Sequence, residues 1–436
     1  MSVLSSQFKP TSYWWEAAPP IDGTRAAPDG NYDVAVVGSG VIGLNAALAL
    51  AEGGRKVVVF DSGKIGSGAS TRNNGSIVPF HFLHQEQLEA RFGAEVGARV
   101  ARMFVDAFEH LLKVPKRYGF DPMIKPYERF FLACSPKHYA HYVADAALEG
   151  ERGLGLGWKP IDKAELERRT GVRGYHGGLH IPNSLAMHSG LYIQGVAQAC
   201  IAAGVDLIGK CRVLKMRGGG GTTTLVTERG EVRAREVVVA TNGYSDGAVP
   251  YLKQRLIPAR LYLSATEPVD PKLMERFFPD RQLADSKRSM GWIRPTPDGT
   301  RLMVGGRGGM MGNDPEVHAR KLYQDMVAMV PELAGIKLTH CWYGVIAFPM
   351  DFLPHVSKVD GIHYIVGCCG VGMCAGTYLG NRIGNRILGA PQADSATAVD
   401  DLRFPRIPGP SAMNRLYSRL GIEWYNLRDW WDLRQK

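Results

Sequence analysis

Within the first sixty residues, short unbroken apolar runs flank a segment that is small or apolar at nearly every position. Residues 33–37 (DVAVV) and 56–60 (KVVVF) predict strands covered on both faces, and Val41–Glu52 (VIGLNAALALAE) predicts a helix buried all round. Strand, glycine turn, helix and strand with minimal loops open a parallel, doubly wound sheet. Helical period returns over residues 88–120 and 136–149, and residues 192–203 predict another helix. Strands are predicted at Asp206–Ile208, 213–216 and 236–240, and the pattern between Arg255 and Gly306 alternates strands with turns. Within it, GWIRPTPDGTRLMVGG predicts a hairpin around Pro-Asp-Gly. Residues 361–366 predict a strand, followed by a glycine turn and a helix over Gly372–Leu388. Residues 1–30, rich in Pro, Ala and aromatics, predict an irregular lead-in on the surface.

A chain of 436 residues holds two to three domains and can enclose a cofactor, and its 52 glycines suit the tight turns of nucleotide sites. The formal charge of +10 is spread without a basic run, and no nucleic-acid module signature accompanies it. A solvated basic surface explains most of that charge. Among functional partners an acidic small molecule is favoured over nucleic acid or an anionic surface. Seven irregularly spaced cysteines without a CxxC pair argue against a disulfide scaffold or a metal site. The N-terminal stretch has no signal-peptide pattern, and no apolar run approaches the ~20 residues of a transmembrane helix, so a cytoplasmic location is expected.

Gly38-Ser39-Gly40-Val41-Ile42-Gly43 is a GxGxxG turn leaving a strand and opening a helix. Gly38 permits the turn, Gly40 lets backbone approach a pyrophosphate, and Gly43 lets helix and strand pack closely. The helix N-terminus adds amide N–H groups and partial positive charge. Asp61 ends the second strand 18 residues after Gly43, where a carboxylate can accept from ribose hydroxyls. NAD and FAD proteins share this opening. The polar loop SGKIGSGASTRNNGSIVPF, which follows Asp61, and a second strand–glycine turn–helix unit around residues 364–373 favour FAD, because the late helix N-terminus can stabilise charge on a flavin ring.

With the GSGAS-x-R-N-x-G loop at 66–75, EVVVATNGYS at 236–245, CWYGVIAFPMDFLP from Cys341 and the late glycine motif, the chain resembles the D-amino-acid-oxidase-like flavoprotein family. SYWW at 12–15 and the tail from Phe404 are most similar to its gamma-glutamylputrescine oxidase branch. The resemblance implies an α/β fold: a Rossmann-like FAD-binding domain (31–88, 155–250 and 340–392) and a mixed-sheet α+β substrate domain (89–154 and 251–339). Both are discontinuous, between the lead-in 1–30 and a tail 393–436. It implies that Gly38, Ser39, Gly40, Val41, Ile42 and Gly43 hold the pyrophosphate, and that Asp61 and Ser62 meet the adenosine ribose. Gly68, Ala69, Ser70, Thr71, Arg72, Asn73, Asn74, Gly75 and Ser76 would run along the flavin. Val213 would contact adenine, with Ala240, Thr241, Asn242 and Gly344 lining the site. Gly370, Val371, Gly372 and Met373 would reach the pyrimidine end of the flavin. This chain departs from its relatives at Val371, Cys374 and Met303, where they carry His, Lys and Lys, which leaves the electron acceptor open. Cys341 lies near a position that tethers flavin in sarcosine oxidases, although non-covalent FAD is the expectation.

The activity implied is oxidation of the C–N bond of a small amine or amino acid: hydride leaves for flavin N5, the imine hydrolyses, and O2 is reduced to H2O2. A carboxylate-bearing substrate requires a cation opposite the flavin, preferably a bidentate Arg. Arg307, after LMVGG, is the first candidate, with Arg260, Arg288 and Arg294 on the same sheet and His81 and His84 after the flavin loop. N-substituted glycines such as sarcosine or iminodiacetate fit, as does a gamma-glutamyl amine. A dehydrogenase with a quinone or carrier-protein acceptor, an NAD-dependent oxidoreductase and a non-catalytic flavin-binding subunit are the alternatives.

Overall fold

Strands that read as unbroken apolar runs need cover on both faces, and they form the centre of the first of two sheets. Asn31–Val37, Val57–Phe60 and Asp206–Ile208 pair in parallel, and Gly230–Val239 and Ile362–Val366 continue the parallel series beyond Asn31–Val37. The computed structural model describes residues 2–28, 30–81, 83, 85–152, 155–219, 221–288, 290–307 and 313–434; His84 and the stretch 308–312 lie outside them. The helices Val41–Glu52, Ala94–Tyr118, Ser189–Ala202 and Gly372–Leu388 share one apolar core on one face of the sheet. The other face carries a second apolar core, to which Val213–Gly219 and Thr222–Thr227, antiparallel extensions from the first half of Gly230–Val239, contribute.

A glycine seam joins the first and last of those helices. A Cβ at Gly376 would stand 2.6 Å from Val41 Cγ1, at Gly380 2.3 Å from the Ile42 carbonyl oxygen, and at Gly384 2.6 Å from Ala49 Cβ. The two backbones are therefore in direct contact, and both helices begin on the same cleft.

The second sheet has ten strands, in the order Leu4–Lys9, Leu338–Phe348, Ile257–Thr266, Leu302–Arg307, Trp292–Pro295, Arg281–Asp285, Lys125–Leu132, Gly178–Ala186 and Ser76–Ile77, with Lys159–Ile161 branching from Gly178–Ala186. The hairpin around Pro-Asp-Gly forms as an antiparallel pair, and Val41–Glu52, Asp206–Ile208 and Gly372–Leu388 have the bounds read from their patterns. The helical stretch 88–120 is two helices, broken at Gly93, where φ is +87°.

Three expectations are corrected. The lead-in is not irregular surface chain: Leu4–Lys9 pairs in parallel with Leu338–Phe348, and Trp14 is fully buried. Its polar LSSQFK pattern gave no strand signal because the partner edge, more than 300 residues away, supplies the pairing. Strands Lys159–Ile161, Gly178–Ala186 and Leu338–Phe348 belong to the ten-stranded sheet, although the boundaries at 155 and 340 would put them with the nucleotide fold. Helix Ala94–Tyr118 packs in the core of the nucleotide layer and not in the substrate domain. Local periodicity sets an element's type, but its partner is chosen in three dimensions. The tail ends in a helix, Asn414–Arg434.

Trp14 ties the lead-in to the rest of the molecule through its buried ring and through Nε1, which donates to the Asn73 carbonyl at 2.8 Å. Trp14→Ala is expected to cost about 3–5 kcal/mol, read as a lower denaturation midpoint at constant slope. A loss below ~1 kcal/mol would mean that the lead-in is only draped over the surface.

Candidate functional site

The glycine turn is closed by backbone contact. Gly38 has φ +104°, and a Cβ there would lie 2.9 Å from the Ala240 carbonyl oxygen; one at Gly43 would lie 1.9 Å from the carbonyl oxygen of Gly38. The helix Val41–Glu52 then starts without a capping side chain of its own, and the Val41 N–H donates to Ser70 Oγ at 2.9 Å. Asp61 fixes the turn from the side. Its Oδ2 accepts from the Ser39 N–H (2.9 Å) and Oγ–H (2.6 Å), and its Oδ1 from the Gly63 N–H (2.8 Å). Burial pushes the Asp61 carboxyl upward from its ordinary value, and these donors pull it back.

The loop from Gly66 onward is held by the lead-in. Ser12 Oγ donates to the Thr71 carbonyl at 2.8 Å, Trp15 Nε1 to Thr71 Oγ1 at 3.0 Å, and Trp14 Nε1 to the Asn73 carbonyl. Asn73 Oδ1 accepts from the Gly75 N–H and from Ser189 Oγ. Arg72 makes no salt bridge among the described residues. It is half-buried over the Trp15 ring, and its guanidinium donates to the carbonyls of Ser67 (2.8 Å) and Tyr343 (3.3 Å).

Between the turn, this loop and the start of Gly372–Leu388 lies a cleft of about 400 Å³. Gly38, Gly40, Val41 and Ile42 line it from the turn, and Asp61, Ser62 and Val213 from the strand ends. Gly68, Ala69, Ser70, Arg72, Asn73, Asn74 and Ser76 line it from the loop, and Ala240, Thr241, Asn242, Gly370, Gly372 and Met373 complete the expected wall. Ser39, Gly43, Thr71, Gly75, Gly344 and Val371 stand behind that wall: Thr71 Oγ1 donates to the Gly66 carbonyl, and a Cβ at Gly344 would touch Arg72 Cβ at 3.4 Å. Tyr244, Tyr343, Ile346 and Met216 also line the cleft. Sequence reading passed over them, although EVVVATNGYS and CWYGVIAF contain three of the four. A Cβ at Gly68 or Gly372 would make only ordinary van der Waals contact, with Tyr244 Cε2 at 3.7 Å and Cys368 Cβ at 3.4 Å, so these two glycines are not required by steric exclusion within the chain. Cys341 is not on the wall. It packs in the core of the second sheet, and burial pushes its thiol up to about 12, which disfavours the thiolate that a tether needs.

The candidate substrate cations separate clearly. Arg288 is neutralised by Asp429 and Asp432 at 3.2 and 2.7 Å. Arg307 lies over the Tyr425 ring at 5.2 Å and does not reach the cleft wall. Arg260 donates to Asn313 Oδ1 and lies over the Tyr343 ring. His81 is buried against Phe104, and its Nδ1 accepts from the Leu83 N–H.

Arg294 is different: it is fully buried, and none of its three guanidinium nitrogens has a hydrogen-bond partner among the described residues. It sits between the rings of Trp14 and Tyr127. Arg129, which sequence reading missed, lies on the same sheet face and is also buried, with Nε unpartnered. Gln282 is registered opposite Arg129 and Ser184 opposite Tyr127; Gln282 Oε1, Tyr127 Oη and Ser184 Oγ are buried and unpartnered as well. Burial pushes Arg129 down to about 10, and the nearby Arg294 charge adds to the shift. No described carboxylate pairs with either guanidinium. A Cβ at Gly75 would lie 3.3 Å from Arg294 Nη2, and its neighbours Asn74 and Ser76 are cleft wall. An uncompensated buried cation is costly, and Arg294, like Arg307, lies off the cleft wall itself.

A family model described as FAD dependent oxidoreductase (DAO) matches residues 33–386. A probable oxidoreductase, OrdL, of Rhizobium meliloti is 26% identical over 97% of this chain and 99% of its own length. The gamma-glutamylputrescine oxidoreductase of Escherichia coli is 28% identical over 91% of this chain and 92% of its own. The crystal structure of glycine oxidase from Geobacillus kaustophilus superposes with a TM-score of 0.72 at 19% identity, covering 87% of this chain and 99% of that one.

Asp61→Ala leaves the Ser39 and Gly63 N–H groups without their acceptor, at about 1–3 kcal/mol each. FAD retention after dialysis, read as flavin absorbance per protein, is expected to fall about a hundredfold, with the far-ultraviolet dichroism unchanged. Undiminished flavin content would remove Asp61 from the cofactor site.

Proposed function

The chain belongs to the DAO family of FAD-dependent oxidoreductases, and on that premise we propose that it oxidises the C–N bond of a small secondary amine or amino acid that carries a carboxylate. The observation that carries the substrate class is the unpaired, fully buried Arg294 behind the flavin loop. Family membership sets aside the NAD-dependent alternative.

In this reading the turn at Gly38–Gly43 and the two helix N-termini hold the pyrophosphate and the pyrimidine end of FAD. Asp61 takes the ribose and Val213 the adenine. When bound, FAD supplies the two-electron sink. The chain's own residues position and desolvate. Arg294 orients the substrate carboxylate with Arg129 and Tyr127 beside it, and Tyr343, Ile346 and Met373 exclude water around the reacting carbon. No side chain need remove a proton from carbon: the amine binds neutral, and after oxidation water cleaves the C=N bond to a carbonyl compound and an amine. Glycine and gamma-glutamylputrescine, named in two of the relatives, both carry a carboxylate beside an amine, which supports the assignment. N-substituted glycines such as sarcosine and iminodiacetate, or a gamma-glutamyl amine, are the substrates to test. Reoxidation is assigned to O2; Val371, Cys374 and Met303 offer no cation for it, so peroxide yield in air separates an oxidase from a dehydrogenase.

Anaerobic addition of these amines to the purified protein should bleach the oxidised-flavin bands, and amines lacking a carboxylate should not. Arg294→Met should lower kcat/KM for the acidic amine about 30-fold or more, the equivalent of ~2 kcal/mol or above. It should not lower the melting temperature, because it removes an unpaired buried charge. Unchanged kinetics in that variant would rule out Arg294 as the carboxylate site.

A further inference from the structure

The helix Asn414–Arg434 is fastened along one side only. Asn414 Nδ2 donates to the carbonyls of Lys253 and Leu256, Asp429 and Asp432 bind Arg288, and the Tyr425 ring lies under Arg307. On the other side Leu416, Leu420, Trp424, Leu427 and Trp431 follow at intervals of four, four, three and four, which places them within one helical stripe. All five are exposed, from 38% at Leu416 to 58% at Trp431, and Trp430 and Leu433 continue the apolar surface at 48% and 39%. A contiguous patch of this kind on a soluble fold marks an interaction surface.

Cations accompany the stripe. The Arg428 guanidinium lies over the Trp424 ring at 5.9 Å and that of Arg434 over the Trp430 ring at 3.7 Å. Lys137, Trp424, Leu427, Arg428, Trp431 and Asp432 wall a shallow concavity beside it. Asp432 is already paired with Arg288 and Lys137 and Asp429 with Arg288, which leaves Glu423 against Arg419, Arg428 and Arg434 on this helix. The outward field of the stripe is therefore basic, on a chain with a formal charge of +10. Two copies meeting through it would bring like charges together, whereas an anionic surface is complementary to it.

We propose that the C-terminal helix docks the protein onto an anionic lipid surface. Its apolar stripe lies in the plane of the interface, with the indole rings at headgroup depth and the arginines against phosphates, the arrangement of an interfacial amphipathic helix. It does not span: no helix among the described residues is long and apolar enough to cross a membrane. The proposal is independent of the substrate assigned above.

The test is flotation of the FAD-loaded protein with phosphatidylcholine vesicles and with equimolar phosphatidylcholine–phosphatidylglycerol vesicles. Flotation with the mixed vesicles only, release by raised salt and a blue shift of tryptophan emission are expected. The double variant Leu420→Glu/Leu427→Glu alters two exposed side chains, so flavin content and melting temperature should hold while flotation drops about tenfold or more. Absence of flotation with either vesicle overturns the proposal, as does flotation that the double variant leaves intact. A dimer in sedimentation that the double variant converts to monomer also overturns it, and assigns the stripe to a second copy.

Discussion

The contact on which the rest of the architecture depends is the glycine seam between Val41–Glu52 and Gly372–Leu388. Helices packed through ordinary side chains keep their axes about 8–10 Å apart. At Gly376, Gly380 and Gly384 there is no room for any side chain, and the late helix rests on the backbone of the early one. Two helix N-termini more than 300 residues apart in sequence thereby open onto one cleft. Their partial positive charges therefore face one and the same cleft. The seam is also why the chain can leave the nucleotide fold, build a ten-stranded sheet and return.

That excursion creates an electrostatic imbalance which the sheet alone does not resolve. Arg294 projects into a wall of Trp14, Tyr127 and the loop at Gly75, and Arg129, over the Phe131 ring, lies on the same sheet face in register with Gln282. Water is excluded, no carboxylate among the described residues answers the charge, and each guanidinium is pushed towards its neutral form by burial. A fold under selection for stability alone would place Met or Leu there, since apolar replacement of buried charge is often neutral or favourable. Strain of this kind is retained where a ligand relieves it. The lead-in shares the task, because Trp14 covers Arg294 on one side and holds Asn73 on the other.

Legibility followed the range of the interactions. GxGxxG, Asp61 and the late glycine turn were readable because their chemistry is local: a turn without room for a Cβ, a strand end, a helix start. The helix bounds at 41–52 and 372–388 came with them. Strand Leu4–Lys9 was not readable, because LSSQFK carries no apolar alternation and takes its conformation from a distant edge. Arg129 was hidden for the same reason, and Arg294 was readable only as one of several candidate arginines. Within YERFF and WIRP each looks like a solvated cation, and only the register with Gln282 and the roof of Trp14 reveals burial. Arg307 looked the better candidate from its place after LMVGG, but its actual neighbour, Tyr425, belongs to a helix whose docking no local pattern announces.

The C-terminal helix accordingly shapes the site without touching it. It places Asp429 and Asp432 on Arg288, which neutralises that cation, and it covers Arg307 with the Tyr425 ring. Asn313 and Tyr343 occupy a third, Arg260. Arg294 and Arg129 keep their charge without a described carboxylate partner in a buried part of the sheet, where screening is weak. In the reading proposed above, selectivity for an acidic amine would come from burying an unpaired Arg294 while Arg288 is held by two carboxylates.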